Sequence, residues 1–168
     1  TSEYVLSHWN DVYGTSRTDT STHFIIPVVF HILHFGGSEN IADTKVYNEI
    51  DNLNLYYSAT NADLSQVIAQ HQPLIGDMKI EFRLATKDPN GNCTNGIEHI
   101  YTYQAKSANE YAKVSNWPRE KYLNVWSFID IPEGPNQTGI ILGYANYPSS
   151  VITQENNNFA RPGYVKDG

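Results

Sequence analysis

His31 and His34 are the first residues in this sequence whose types and spacing could do chemistry, as a His-x-x-His pair. On a helix that spacing puts both imidazoles on one face, where they can share a metal ion. Here the pair lies in or just after Ile25-Ile26-Pro27-Val28-Val29-Phe30-His31-Ile32-Leu33, a strand-like run. Residues three apart on a strand face opposite sides, so one metal cannot take both without a bulge. The residues therefore predict two hydrogen-bonded structural histidines. His99 beside Glu98 and His71 beside Gln72 have no partner at ligand spacing. Glu49 and Asp51 read as solvated helix acids, and Asp63 as a turn acid. Cys93, the single cysteine, sits in a turn-rich loop with no histidine nearby in sequence, and reads as a free thiol rather than a nucleophile. One cysteine also excludes an internal disulfide framework and a multi-cysteine zinc site. There is no G-x-S-x-G, no P-loop, no dinucleotide fingerprint and no His-Glu-x-x-His. No catalytic residue and no metal ligand is assigned within residues 1–168.

The elements that must position these groups follow from hydrophobic periodicity. Residues 1–23 are polar, rich in Ser and Thr, and read as an N-terminal arm. The run from Ile25 to about residue 35 is apolar on both faces, as a strand covered on both sides should be. Pro27 is tolerated where a missing N–H falls at the strand's edge, and Gly36-Gly37 ends the run. Val46, Ile50, Leu53 and Tyr57 are spaced four, three and four apart, which predicts a helix over about 43–58. Asp43 is its cap or first-turn acid. Residues 61–77 are a long connection broken by Pro73 and Gly76. Ile80, Phe82 and Leu84 alternate with charged residues, giving a strand with one wet face. Asp88-Pro89-Asn90-Gly91-Asn92 is turn chemistry. Further strands are predicted at 97–103, 122–129 and 139–146, with loop or short helix at 104–121 and a polar tail from Pro148. The fold class is α+β: a twisted, mixed, five-stranded sheet with a backing helix.

At 168 residues the chain is one domain's worth. With 11 Lys+Arg against 18 Asp+Glu the formal charge is −7, which argues against nucleic acid or an anionic membrane as the main partner. No apolar run approaches the ~20 residues of a membrane span. Twelve tyrosines, many Asn and Thr, and only 17% charged residues suit a secreted or periplasmic protein over a cytosolic one, and the expected location is secreted or extracellular. No signal peptide opens the sequence, so it reads as mature or trimmed.

An ordered series of short blocks resembles the N-terminal part of the pappalysin-type metzincins, a family of secreted zinc metallopeptidases. The blocks are Ile26-Pro27-Val28-Val29-Phe30-His31-Ile32, Asn40-Ile41-Ala42-Asp43, Asn61-Ala62-Asp63-Leu64-Ser65 and Pro73-Leu74-Ile75-Gly76-Asp77 with Ile80-Glu81-Phe82-Arg83-Leu84-Ala85. They continue with Asp88-Pro89-Asn90-Gly91-Asn92-Cys93-Thr94-Asn95-Gly96-Ile97, with Trp117 and Lys121-Tyr122-Leu123-Asn124-Val125-Trp126, and with Leu142-Gly143-Tyr144-Ala145-Asn146-Tyr147-Pro148. Together they span about residues 24–168. Cys93 stands where the family often has proline, and Ala42 where it often has a capping Ser or Asp.

The resemblance implies a mostly parallel sheet with an antiparallel edge strand, within the upper subdomain of a metzincin-like catalytic domain over 24–168. It implies zinc in the parent protein, with room for calcium, and a peptide or protein substrate. In the family, an Asp-Gly pair begins a strand that precedes the zinc helix and its HExxHxxGxxH motif. Here Asp167-Gly168 closes the sequence, so the zinc ligands and general-base Glu are expected in a C-terminal half outside this chain, and the chain alone is expected to be inactive. By position, Leu142, Gly143, Tyr144 and Ala145 match the edge strand along which substrate backbone pairs. The alternative is a secreted, non-catalytic binding or surface module that keeps the sheet and lacks the zinc site.

Overall fold

The computed structural model of the chain describes residues 23–132 and 140–145. The N-terminal arm and the tail from residue 146 onward lie outside the described residues, apart from His23. The central element is β1, Phe24–His34. Strands β2 (Ile80–Leu84), β3 (Ile97–Tyr101) and β4 (Leu123–Ser127) all pair with it in parallel. One helix, α1, runs from Asp43 to Tyr57.

Backbone parity explains how one strand serves three partners. Phe24 N–H reaches β2 through Lys79 C=O, and Val28 C=O accepts from Ala85 N–H at the end of β2. Phe30 N–H reaches Gly96 C=O at the start of β3, and His34 C=O accepts from Thr102 N–H at its end. All four β1 residues are even-numbered, so β2 and β3 follow one another along a single edge. β4 takes the opposite edge, in register with Val28–Ile32. Pro27 is odd-numbered. Its missing N–H falls on the β4 side, one residue before β4 pairing begins, so no ladder bond is lost.

Where β2 hands over to β3, the backbones approach closely. Gly96 has φ +73°, and a Cβ there would sit 2.7 Å from Ala85 N and 3.0 Å from Ala85 O. Only glycine fits both the conformation and the space.

β1 is buried on both faces, as its composition predicts. Val28, Phe30 and Ile32 face α1, where Val46, Ile50, Phe82 and Ile97 complete the main core. Leu53 and Tyr57 are half-buried at its margin. Val29 faces the other way, against Ala85 and Trp117. The segment over 103–122 covers this second face with short 3₁₀ turns at Tyr103–Lys106 and Glu110–Ala112. The helix begins without a side-chain cap, because Ala42 occupies the N-cap position. Asp43 is its first-turn acid.

The described residues carry part of the predicted sheet. Four strands are found among the described residues, against five predicted, and residues 140–145 form no strand. Every strand pairing of β1 is parallel, so the described sheet is not mixed. The antiparallel pairing among the described residues is the isolated bridge Lys87↔Cys93. The apolar run at 140–145 failed as a strand predictor for a physical reason: Ile140 and Leu142 are 90% and 92% exposed, with no sheet surface against them.

Candidate functional site

The strand registers place His31 of β1 opposite Glu98 of β3 and Trp126 of β4. Directly opposite residues on parallel strands share a face, so these three stand side by side under the 103–122 segment. His31 is fully buried. Its Nδ1 lies 2.7 Å from Glu98 Oε2 and its Nε2 lies 2.9 Å from Asn124 Oδ1. The Trp126 ring stacks on the imidazole with centroids 5.0 Å apart, and Trp117 meets it edge-on at 6.4 Å.

Hydrogen-bond accounting fixes the roles. Asn124 Oδ1 accepts from Trp117 N–H at 2.9 Å, and Asn124 Nδ2 donates to Trp117 C=O at 2.9 Å. The backbone of Trp117 therefore sets the orientation of that amide. Glu98 accepts from Trp117 Nε1–H at 3.1 Å and from Ser115 O–H at 2.7 Å. Both imidazole nitrogens thus face acceptor oxygens. Each ring nitrogen of the buried imidazole is thus already engaged by a protein oxygen. The arrangement is a polar tie joining three strands and a loop.

The second histidine cluster lies on the helix face. His99 Nδ1 is 2.6 Å from Asn40 Oδ1, and Nε2 is 2.7 Å from Asp43 Oδ1. Asn95 Nδ2 donates to Asp43 Oδ2 at 3.3 Å. These contacts bind β3 to the uncapped start of α1. His34 Nδ1 accepts from Gly36 N–H at 3.3 Å, and its ring lies 6.3 Å from that of His99.

The turn after β1 is held by Glu39, whose Oε1 accepts from Phe35 N–H at 2.7 Å and Gly37 N–H at 3.1 Å. The Phe35 bond is the main cause holding the Glu39 carboxyl below its ordinary value.

Sequence reasoning placed His31 and His34 on opposite sides of a strand as hydrogen-bonded structural groups, and the structure does so. It missed the partners. Glu98, Ser115, Trp117, Asn124 and Trp126 are 67 to 95 residues from His31, and only strand register reveals the pairing. His99 does have partners, from the Asn40–Asp43 block. Cys93 is an exposed free thiol. Among the described residues no three His, Cys, Asp or Glu side chains converge to hold a metal ion.

In the segment matched to the substrate strand, Leu142 points into solvent and a Cβ at Gly143 would meet open space. Tyr144 is half-buried, and its ring lies 5.1 Å from Lys113 Nζ. Lys113 also sits 5.5 Å from the Trp126 ring, which connects this segment to the β4 side of the sheet. Ala145 is exposed.

Comparison with solved structures decides the resemblance. Mirolysin in complex with a compound, "compound 9", matches at 33% identity and TM-score 0.58, over 62% of this chain and 42% of that one. Mature mirolysin from Tannerella forsythia with a cleaved peptide matches at 34% identity and TM-score 0.57, over 64% and 43%. The chain resembles mirolysin. A promirolysin variant from the same organism extends the match to 80% of this chain at 30% identity and TM-score 0.59. Mirolysin is a metzincin of the pappalysin type that the sequence blocks point to. The chain spans less than half the length of these mirolysin structures, 42–48%. No protein-family model and no curated protein matches it. Among the described residues no helix is long and apolar enough to cross a membrane.

Proposed function

We propose that this chain is the N-terminal, sheet-bearing part of the catalytic domain of a secreted zinc-dependent metalloendopeptidase, which hydrolyses peptide bonds with a zinc-activated water. The observation that carries this reading is the 30–34% identity to mirolysin, one of whose structures holds a cleaved peptide. The described residues do not fit a zinc ion. His31 spends both ring nitrogens on acceptors, and His99 bridges Asn40 and Asp43. The zinc ligands and the general base belong to sequence beyond these residues, and no step of the reaction is assigned to this chain's side chains.

The role left for this part is to build and brace the cleft's upper rim. The His31 tie fixes β4 against β1, and the Tyr144–Lys113–Trp126 contacts lead from β4 to residues 142–145. We assign Leu142, Gly143, Tyr144 and Ala145 to the rim along which an extended substrate lies. The absence of a side chain at Gly143 suits close backbone approach. In the complete protein, Leu142→Pro should lower kcat/KM for peptide hydrolysis without releasing zinc. Unchanged kinetics in a folded, zinc-loaded variant would remove this segment from the cleft.

A further inference from the structure

The outer edge of β2 is occupied by a side chain. Asn54, in the last turn of α1, donates from Nδ2 to Phe82 C=O at 2.9 Å and accepts Phe82 N–H on Oδ1 at 2.8 Å. Lys79 C=O and Ala85 N–H bond to β1, so the odd-numbered residues of β2 face β1 and the peptide groups of Ile80, Phe82 and Leu84 face outward. Phe82 is the middle one. The Asn54 carboxamide presents it with one donor and one acceptor, the set that a neighbouring strand's backbone would present. Phe82 itself is pinned from the helix side, with the Tyr57 ring edge-on to it at 4.7 Å.

We infer that Asn54 is an edge lock, standing in for a neighbouring strand that none of the described residues supplies to β2, and closing the outer edge of β2 to a second copy of the chain. A five-residue edge strand offers a newcomer three outward peptide groups, and losing the central one breaks the ladder on both sides. The lock matters because this edge is otherwise inviting. Phe24 and Ile25, at the same end of the sheet, are 61% and 49% exposed. Exposed apolar residues beside an unpaired strand edge promote intermolecular pairing. The bidentate Arg83–Glu81 pair on β2 adds charge at the same edge.

The test uses the complete encoded protein and compares wild type with Asn54→Leu and Asn54→Ser. Leucine keeps the volume without the hydrogen-bonding groups, and serine is too short to reach both. Sedimentation velocity over about a hundredfold dilution series reads association, and amide hydrogen exchange reads Phe82. Both folded variants should form a larger species as concentration rises, where wild type does not. Under dilute conditions the Phe82 amide should exchange roughly tenfold faster or more than in wild type. Ile50→Ala, which destabilises the core without touching the edge, should not associate. The inference is overturned if the folded variants sediment as wild type does, or if Ile50→Ala associates as readily. Failure of both Asn54 variants to fold would also overturn it, since Asn54 would then be a requirement of the fold.

Discussion

His31 Nδ1 lies 2.7 Å from Glu98 Oε2, with the imidazole fully buried and the Glu98 side chain 29% exposed. Removing one partner of such a pair strands the other in a place that cannot solvate it. Glu98→Ala is expected to cost about 3 kcal/mol, the low end of the range for breaking a buried pair because the carboxylate is partly wet. The double replacement His31→Leu with Glu98→Leu should cost less than Glu98→Ala alone. Urea midpoints check both. A Glu98→Ala variant as stable as wild type would show that the tie is not a structural necessity.

The helix stripe gives a graded prediction. Ile50 is buried in the main core, so Ile50→Ala should lose about 3 kcal/mol. Leu53 lies at the core margin and should lose less when truncated to Ala. Equal losses, or the reverse order, would contradict the packing described for α1.

Gly96 and Gly143 separate a required glycine from a permissive one. Gly96→Ala forces a positive φ and a 2.7 Å approach to Ala85 N, so a loss of about 2 kcal/mol or more is expected. Gly143→Ala meets open space and should stay within about 0.5 kcal/mol of wild type in stability. Thermal or denaturant melts of the two variants distinguish the positions.

Glu39 gives a pH dependence. Its folded-state carboxyl is held below the ordinary value of 4.5, chiefly by the Phe35 N–H bond. A group depressed on folding contributes stability that is complete above its unfolded value and is lost as pH falls through the folded one. The stability difference between wild type and Glu39→Gln should therefore be constant near neutral pH and shrink below about 4.5. A difference that grows on acidification would reverse the assignment.

How much of this was legible in the sequence depends on the range of the physics involved. β1 and α1 were readable because a run apolar on both faces and a four-three-four stripe are local patterns, and both found the burial they imply. The strand at Ile80–Leu84 was readable from alternation. The Asn54–Phe82 bridge and the His31 tie were not, because each depends on strand register and helix placement between residues 28 to 93 apart. The segment at 140–145 failed in the opposite way. Ile140-Ile141-Leu142 has strand-like side chains, but β propensity expresses a fit to a half-buried surface, and Ile140 and Leu142 meet solvent.

The proposal that this chain is part of a zinc metalloendopeptidase similar to mirolysin is checked by metal analysis of the complete encoded protein together with a peptide-cleavage assay with and without chelator. The account predicts one tightly held zinc per protein after dialysis, and cleavage that the chelator abolishes and added zinc restores. A folded complete protein that retains no zinc and cleaves no peptide would contradict it and favour a non-catalytic binding module built on the same sheet.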